Sequence, residues 1–156
     1  MAESSLNFVE ADLTDPRVQQ LLQTHTQRAL ANARCRQGHA LDLGALRQPD
    51  IDVLAILRED EPIAVGALRA INATHGELKS MFVADAARGQ GVGRALLNHL
   101  VDHAGAKGMT RLSLETGASS YFDAARALYA RNGFEVCEPF ADLPPHDDSV
   151  FMKRTI

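Results

Sequence analysis

Glu77-Leu78-Lys79-Ser80-Met81-Phe82-Val83, then Ala84-Asp85-Ala86-Ala87, then Arg88-Gly89-Gln90-Gly91-Val92-Gly93-Arg94: the order of these three pieces decides the fold. The first is strand-like. From Val92 to about Lys107, Leu96, Leu97, Leu100, Val101 and Ala104 share one broad helical face. Between strand and helix stand three glycines at alternate positions. Glycine lets the chain turn tightly and lets a ligand approach the main chain. The first N–H groups of a helix lack internal partners, and its dipole favours negative charge there. The loop therefore reads as an anion site, most naturally for phosphate, formed by Gly89, Gln90, Gly91, Val92, Gly93 and Arg94. Arg88 and Arg94 flank it with positive charge. A glycine turn that merely starts a helix is the plainer reading, and the two arginines weigh against it.

Other phosphate motifs fit badly. A P-loop ends in Gly-Lys-Ser/Thr, whereas this chain has Gly93-Arg94-Ala95. A dinucleotide fingerprint needs Gly-x-Gly-x-x-Gly straight after a strand. Here the spacing differs, and Ala84 to Gly89 intervene.

Outward from this loop, Leu6–Glu10 reads as a strand, and Asp15-Pro16 starts a helix that ends before Gly38. Residues 39–50 form a loop with a short turn at Leu43–Leu46. Ile51–Arg58, Ile63–Asn72 and Glu77–Val83 form an antiparallel meander. Downstream come the strand Arg111–Glu115, reached by a right-handed crossover, and a helix from about Phe122 to Arg131, stopped by Asn132-Gly133. Phe134–Glu138 and Val150–Arg154 are the last strands. The fold class is α/β with a mixed sheet.

The 156 residues, 46% apolar, suit one domain spanning 1–156. A net charge of −4 argues against nucleic acid, whose binders need a basic surface. No apolar run reaches membrane-spanning length. Met1-Ala2-Glu3-Ser4-Ser5 lacks the basic and apolar regions of a signal peptide. Cys35 and Cys137 show no metal or redox spacing and read as buried thiols in a reducing cytoplasm. His99 and His103 lie one helical turn apart, but no third ligand completes a zinc motif, so no metal is expected.

Arg88-x-x-Gly91-x-Gly93 between strand and helix, with Leu128-Tyr129-Ala130-Arg131-Asn132-Gly133-Phe134 downstream, resembles the GNAT superfamily of N-acetyltransferases. The likeness covers roughly residues 51 to 138. His39-Ala40-Leu41-Asp42, Thr74 to Met81, Leu114-Glu115-Thr116-Gly117, Pro139-Phe140 and Asp148 to Met152 resemble a bacterial subgroup of small acetyltransferases. The resemblance implies a mostly antiparallel central sheet with a splayed parallel strand pair and flanking helices, the acyl-CoA N-acyltransferase fold. It implies acetyl-CoA as co-substrate, its pyrophosphate on the glycine loop and its pantetheine arm paired with the backbone of Met81, Phe82 and Val83. Many superfamily members carry a cofactor-contacting asparagine where this chain has Phe122, so that contact is left unassigned.

Acetyl transfer from a thioester to an amine needs a deprotonated amine, a polarised carbonyl and a protonated leaving thiolate. Tyr129 is the candidate acid, because a phenol is protonated at neutral pH and donates to a thiolate. Glu77 and Glu115 are the candidate bases, both expected to flank the gap, with Glu77 preferred. A packing tyrosine and solvent-facing glutamates are the bland alternatives. Arg36, His39 and the Asp147-Asp148-Ser149 cluster are candidate acceptor-site residues. The expected partner is a small-molecule amine acceptor, with neither nucleic acid nor membrane, and a homodimer stays open. Two other readings stay open as well: acetylation of a protein N-terminus or lysine, and a non-catalytic acyl-CoA-binding sensor module.

Overall fold

The computed structural model describes residues 5–32, 43–141 and 148–156. Cys35, Arg36, His39 and Asp147 lie outside them. The strands are β1 (Leu6–Glu10), β2 (Ile51–Arg58), β3 (Glu61–Ala70), β4 (His75–Val83), β5 (Arg111–Gly117), β6 (Glu135–Cys137) and β7 (Ser149–Thr155). The helices are α1 (Pro16–Ala31), α2 (Leu43–Leu46), α3 (Val92–Ala106) and α4 (Asp123–Arg131). All seven strands join one sheet in the order β1-β2-β3-β4-β5-β7-β6. Every pairing is antiparallel except β4 with β5. This is the expected mixed sheet.

Local chemistry sets the boundaries. Asp15 caps α1 by accepting from the Arg17 N–H at 2.9 Å, with Pro16 at the first helical position. The helix stops at Ala31, before Gly38 as expected, where the Asn32 side chain donates to the Arg28 carbonyl at 2.8 Å. Glu59 and Asp60, both with positive φ, make the tight turn from β2 to β3. β3 ends two residues earlier than expected and β4 starts two earlier. Asn72 Oδ1 accepts from the N–H groups of Thr74 and His75, closing the turn between them. Ser120–Phe122 form a 3₁₀ turn, so α4 proper starts at Asp123. Cys137 is half-buried on the edge strand β6, not buried as expected.

The sheet has an apolar cluster on each face. On one face, Leu68, Leu78, Leu112 and Leu114 pack with Leu96, Leu97 and Leu100 of α3. On the other, Val53, Ala55, Val65, Ala67 and Phe82 pack with Val18 and Leu22 of α1 and Leu46 of α2.

β4 and β5 pair only from His75↔Arg111 to Leu78↔Leu114. Beyond Leu78 they part. The cause lies in β4. Against β3, one residue, Gly66, stands opposite two, Ser80 and Met81, between the pairs Val65↔Phe82 and Ala67↔Lys79, and Ser80 takes φ 56°. An extra residue in the left-handed region is a β-bulge, which bends its strand and raises the twist. From there β4 follows β3 and leaves β5.

Candidate active site

A cavity of about 310 Å³ lies beside the C-terminal end of β4, beyond the point where the strands part. Met81, Phe82 and Val83 form one wall and Arg88, Gly89, Gly91, Val92 and Gly93 another. Leu128 and Tyr129 of α4 close the far side, and His25 of α1 reaches in from across the sheet.

The wall of β4 offers main-chain groups. The Ala84 N–H donates to the Ile63 carbonyl at 2.8 Å, so Ile63 and Ala84 form a hydrogen-bonded pair. Antiparallel ladders alternate, so Val83, opposite Ala64, turns its N–H and C=O away from β3. Phe82, opposite Val65, turns its own toward β3. The gap therefore receives the polar groups of Val83 and not those of Phe82. Phe82 lines the cavity while its main chain pairs with β3, and its ring packs in the α1 cluster.

The loop wall is open. Gly89 and Gly91 have φ +74° and +79°, a region L side chains rarely adopt. A Cβ on either would meet nothing within 4 Å. Gly91 is the N-cap of α3, and no side chain caps it. Gln90 turns its side chain back to the Ala86 carbonyl at 3.0 Å. Neither Gln90 nor Arg94 lines the cavity.

Tyr129 is buried, with its ring edge-on to Phe134 at 5.9 Å between centroids. Its hydroxyl points to Met81 Sδ at 3.8 Å, a weak acceptor. Burial pushes its pKa up to about 12, so the phenol keeps its proton. His25 lies 5.7 Å from the Phe82 ring, and burial, then the charge of Arg88, pulls its pKa down to about 4.

The two glutamates are not equivalent. Glu77 is buried opposite Ser113, inside the paired part of β4 and β5. Arg69 Nε donates to its Oε1 at 2.7 Å. No other hydrogen bond reaches this carboxylate among the described residues. Glu77 stands one residue before the strands part, on the face opposite Leu78 and α3. Glu115 is exposed and lies one residue beyond the last pair with β4. Neither lines the cavity.

Beside Glu77 lies a polar cluster the sequence did not reveal. His75 Nε2 is 2.7 Å from Ser113 Oγ, and Arg111 Nη2 donates to His75 Nδ1 at 2.9 Å. An arginine only donates, so Nδ1 is the acceptor and Nε2 carries the proton. Burial, then Arg111, lowers the His75 pKa. Phe122 stands at the cavity mouth with its ring against Gly117, where a Cβ would come within 2.2 Å of it. His99 packs edge-on to Phe8, and His103 binds Asp52 Oδ2 at 2.8 Å, so the two helical histidines serve different contacts.

A sheet opened by a bulge, with a glycine loop and an uncapped helix at its mouth, defines an acyl-CoA N-acyltransferase. The comparisons agree. The Acetyltransferase (GNAT) family profile matches residues 16–134. The chain belongs to that family, whose members transfer acetyl groups from acetyl-CoA to amines. YsnE of Bacillus subtilis, an uncharacterised N-acetyltransferase, is 38% identical over 93% of this chain and 96% of its own. An IAA acetyltransferase of Azospirillum brasilense is 40% identical over 76% of each chain. A Klebsiella pneumoniae structure, provisionally described as an acyl-CoA N-acyltransferase, superposes with TM-score 0.78 at 28% identity, over 96% of this chain and 97% of that one.

Proposed function

We propose that residues 1–156 form one N-acetyltransferase domain that passes the acetyl group of acetyl-CoA to a primary amine of a small molecule, by direct attack in a ternary complex. The observation that carries this is the cavity beside the parted end of β4, with the Val83 edge, an open glycine loop and a buried phenol around one space. Its lining holds no thiol, lysine or aliphatic hydroxyl among the described residues, which supports direct attack over an acyl-enzyme. A small acceptor is supported by the IAA acetyltransferase relative.

In this reading the pyrophosphate lies on the loop Gly89–Gly93 and the pantetheine amides pair with the Val83 edge. Tyr129 faces the sulfur. The acceptor approaches from the α1 face, where Glu77 removes the amine proton directly or through a water. Nitrogen attacks the thioester carbon, and the C–S bond breaks as the Tyr129 hydroxyl donates to the thiolate. A phenol of pKa about 12 facing a thiol of ordinary pKa about 8.5 shares its proton with the thiolate more than it surrenders it. The test is thiol release from acetyl-CoA across a panel of amines, run beside peptides with free N-termini or lysines. Turnover with small amines alone is the expected result. Turnover with peptides alone would overturn the small-molecule acceptor, and none with any amine would overturn the transfer.

A further inference from the structure

The Val83 carbonyl that the gap offers is already engaged. Arg88 Nε donates to it at 3.2 Å. The same nitrogen is 3.4 Å from Asp85 Oδ1, and the guanidinium stands over the Phe82 ring, 5.3 Å from its centroid. Asp85 is held in turn by Arg28 of α1 through two bonds of 2.7 Å, and Arg28 lies over the same ring at 5.6 Å. Arg88 is thus folded back along β4 into the gap, although its sequence position places it at the anion loop. Its side chain is 49% exposed, so these contacts are weak enough to exchange.

We propose that Arg88 is a specificity-determining residue: it occupies the pantetheine subsite until a pyrophosphate draws it to the glycine loop, and so selects coenzyme A thioesters over unphosphorylated pantetheine thioesters. The inference rests on the reading of the Val83 edge as the pantetheine site. Coenzyme A brings the partner that removes the obstruction. A guanidinium gains more from a phosphate, through two charge-assisted bonds, than from one neutral carbonyl and an exposed carboxylate at 3.4 Å that is already held by Arg28. Pantetheine carries no phosphate. It must compete for the carbonyl and for the space beside it, with nothing offered to the guanidinium in exchange. Arg94 gives the comparison, since it sits on the same loop, is exposed and does not line the cavity.

The experiment measures pantetheine by NMR titration and coenzyme A by calorimetry on the wild type, Arg88→Met and Arg94→Met. Arg88→Met is expected to bind pantetheine about three- to tenfold more tightly, as one displaced hydrogen bond implies. It should bind coenzyme A about tenfold less tightly, because a phosphate contact is lost. Arg94→Met should leave pantetheine unchanged. Pantetheine binding that is unchanged or weaker in Arg88→Met would overturn the inference and leave Arg88 a plain phosphate contact. An equal gain in Arg94→Met would also overturn it, as an effect of charge alone. If pantetheine moves no Met81–Val83 amide in any of the three proteins while coenzyme A still moves the loop amides, the reading of the edge itself fails.

Discussion

Tyr129 shows how surroundings suit a single residue to the role proposed for it. Its hydroxyl is buried and protonated, and among the described residues it meets a weak acceptor, the Met81 sulfur 3.8 Å away, which suits the proposed donation to a leaving thiolate. Tyr129→Phe removes one oxygen and keeps the ring against Phe134. Turnover should fall about 10²-fold or more while coenzyme A affinity is retained. Single-turnover rates within about twofold of wild type would remove Tyr129 from the chemistry. The glutamates make a paired prediction. Glu77→Gln keeps size and hydrogen-bonding reach but cannot take a proton, so the chemical step should drop strongly while coenzyme A affinity is kept. Glu115→Gln, at an exposed site, should do much less. The reverse pattern would transfer the role to Glu115, and little effect from either would point to deprotonation by solvent. Its place at the start of the strand that leads to the glycine loop made Glu77 visible in the sequence. Its clamp, Arg69, was not visible, because the two meet only through the β3–β4 register.

Among the elements, β4 organises the site. Its first half is tied to β5 and its second half to β3 alone, with the bulge at Ser80 between. The tied half needs Gly76. A Cβ there would lie 2.6 Å from Met109 Sδ, 2.7 Å from Leu68 Cδ1 and 3.1 Å from Leu112 Cδ2, all on buried side chains. Gly76→Ala should therefore cost about 1–3 kcal/mol of stability by overpacking. Urea denaturation would read this, and a midpoint within error of wild type would show that β4 has slack at its root. The strand, the glycine loop and α3 were legible as a sequence of elements. The bulge was not, because Ser80 carries no turn signature and its φ is forced by pairing with β3.

At the scale of the whole molecule, two histidines, one partly and one fully buried, link stability to pH. His25 is pulled from 6.5 to about 4, and His75 is lowered in the same direction. A histidine whose folded pKa is depressed leaves the unfolded chain binding more protons in the window between the two values. Its contribution is complete above about 6.5 and is lost as pH falls toward the folded pKa. The pairings that lower Asp12, Asp15, Asp52 and Asp85 fade only below their ordinary value of 3.8. Urea midpoints should therefore decline between pH 6.5 and 4, before the carboxylates titrate. His25→Gln should flatten part of that decline, and an unchanged slope would mean that His25 charges without cost to the fold.

The sequence by itself determined the order of elements, the crossover between β4 and β5, the glycine loop and the tyrosine on α4. These follow from local periodicity, glycine chemistry and short spacings, which a linear chain carries in full. Only the tertiary structure decided that β4 leaves β5 after Leu78, that Val83 rather than Phe82 turns its main chain to the gap, and that Arg88 lies across it. It also brought His25 into the cavity from a helix over fifty residues upstream of Met81, and set His75, Arg111 and Ser113 beside Glu77. Those facts depend on strand register and on which face of the sheet each helix covers. Register is a property of pairs of strands distant in the chain, so no single stretch of residues records it.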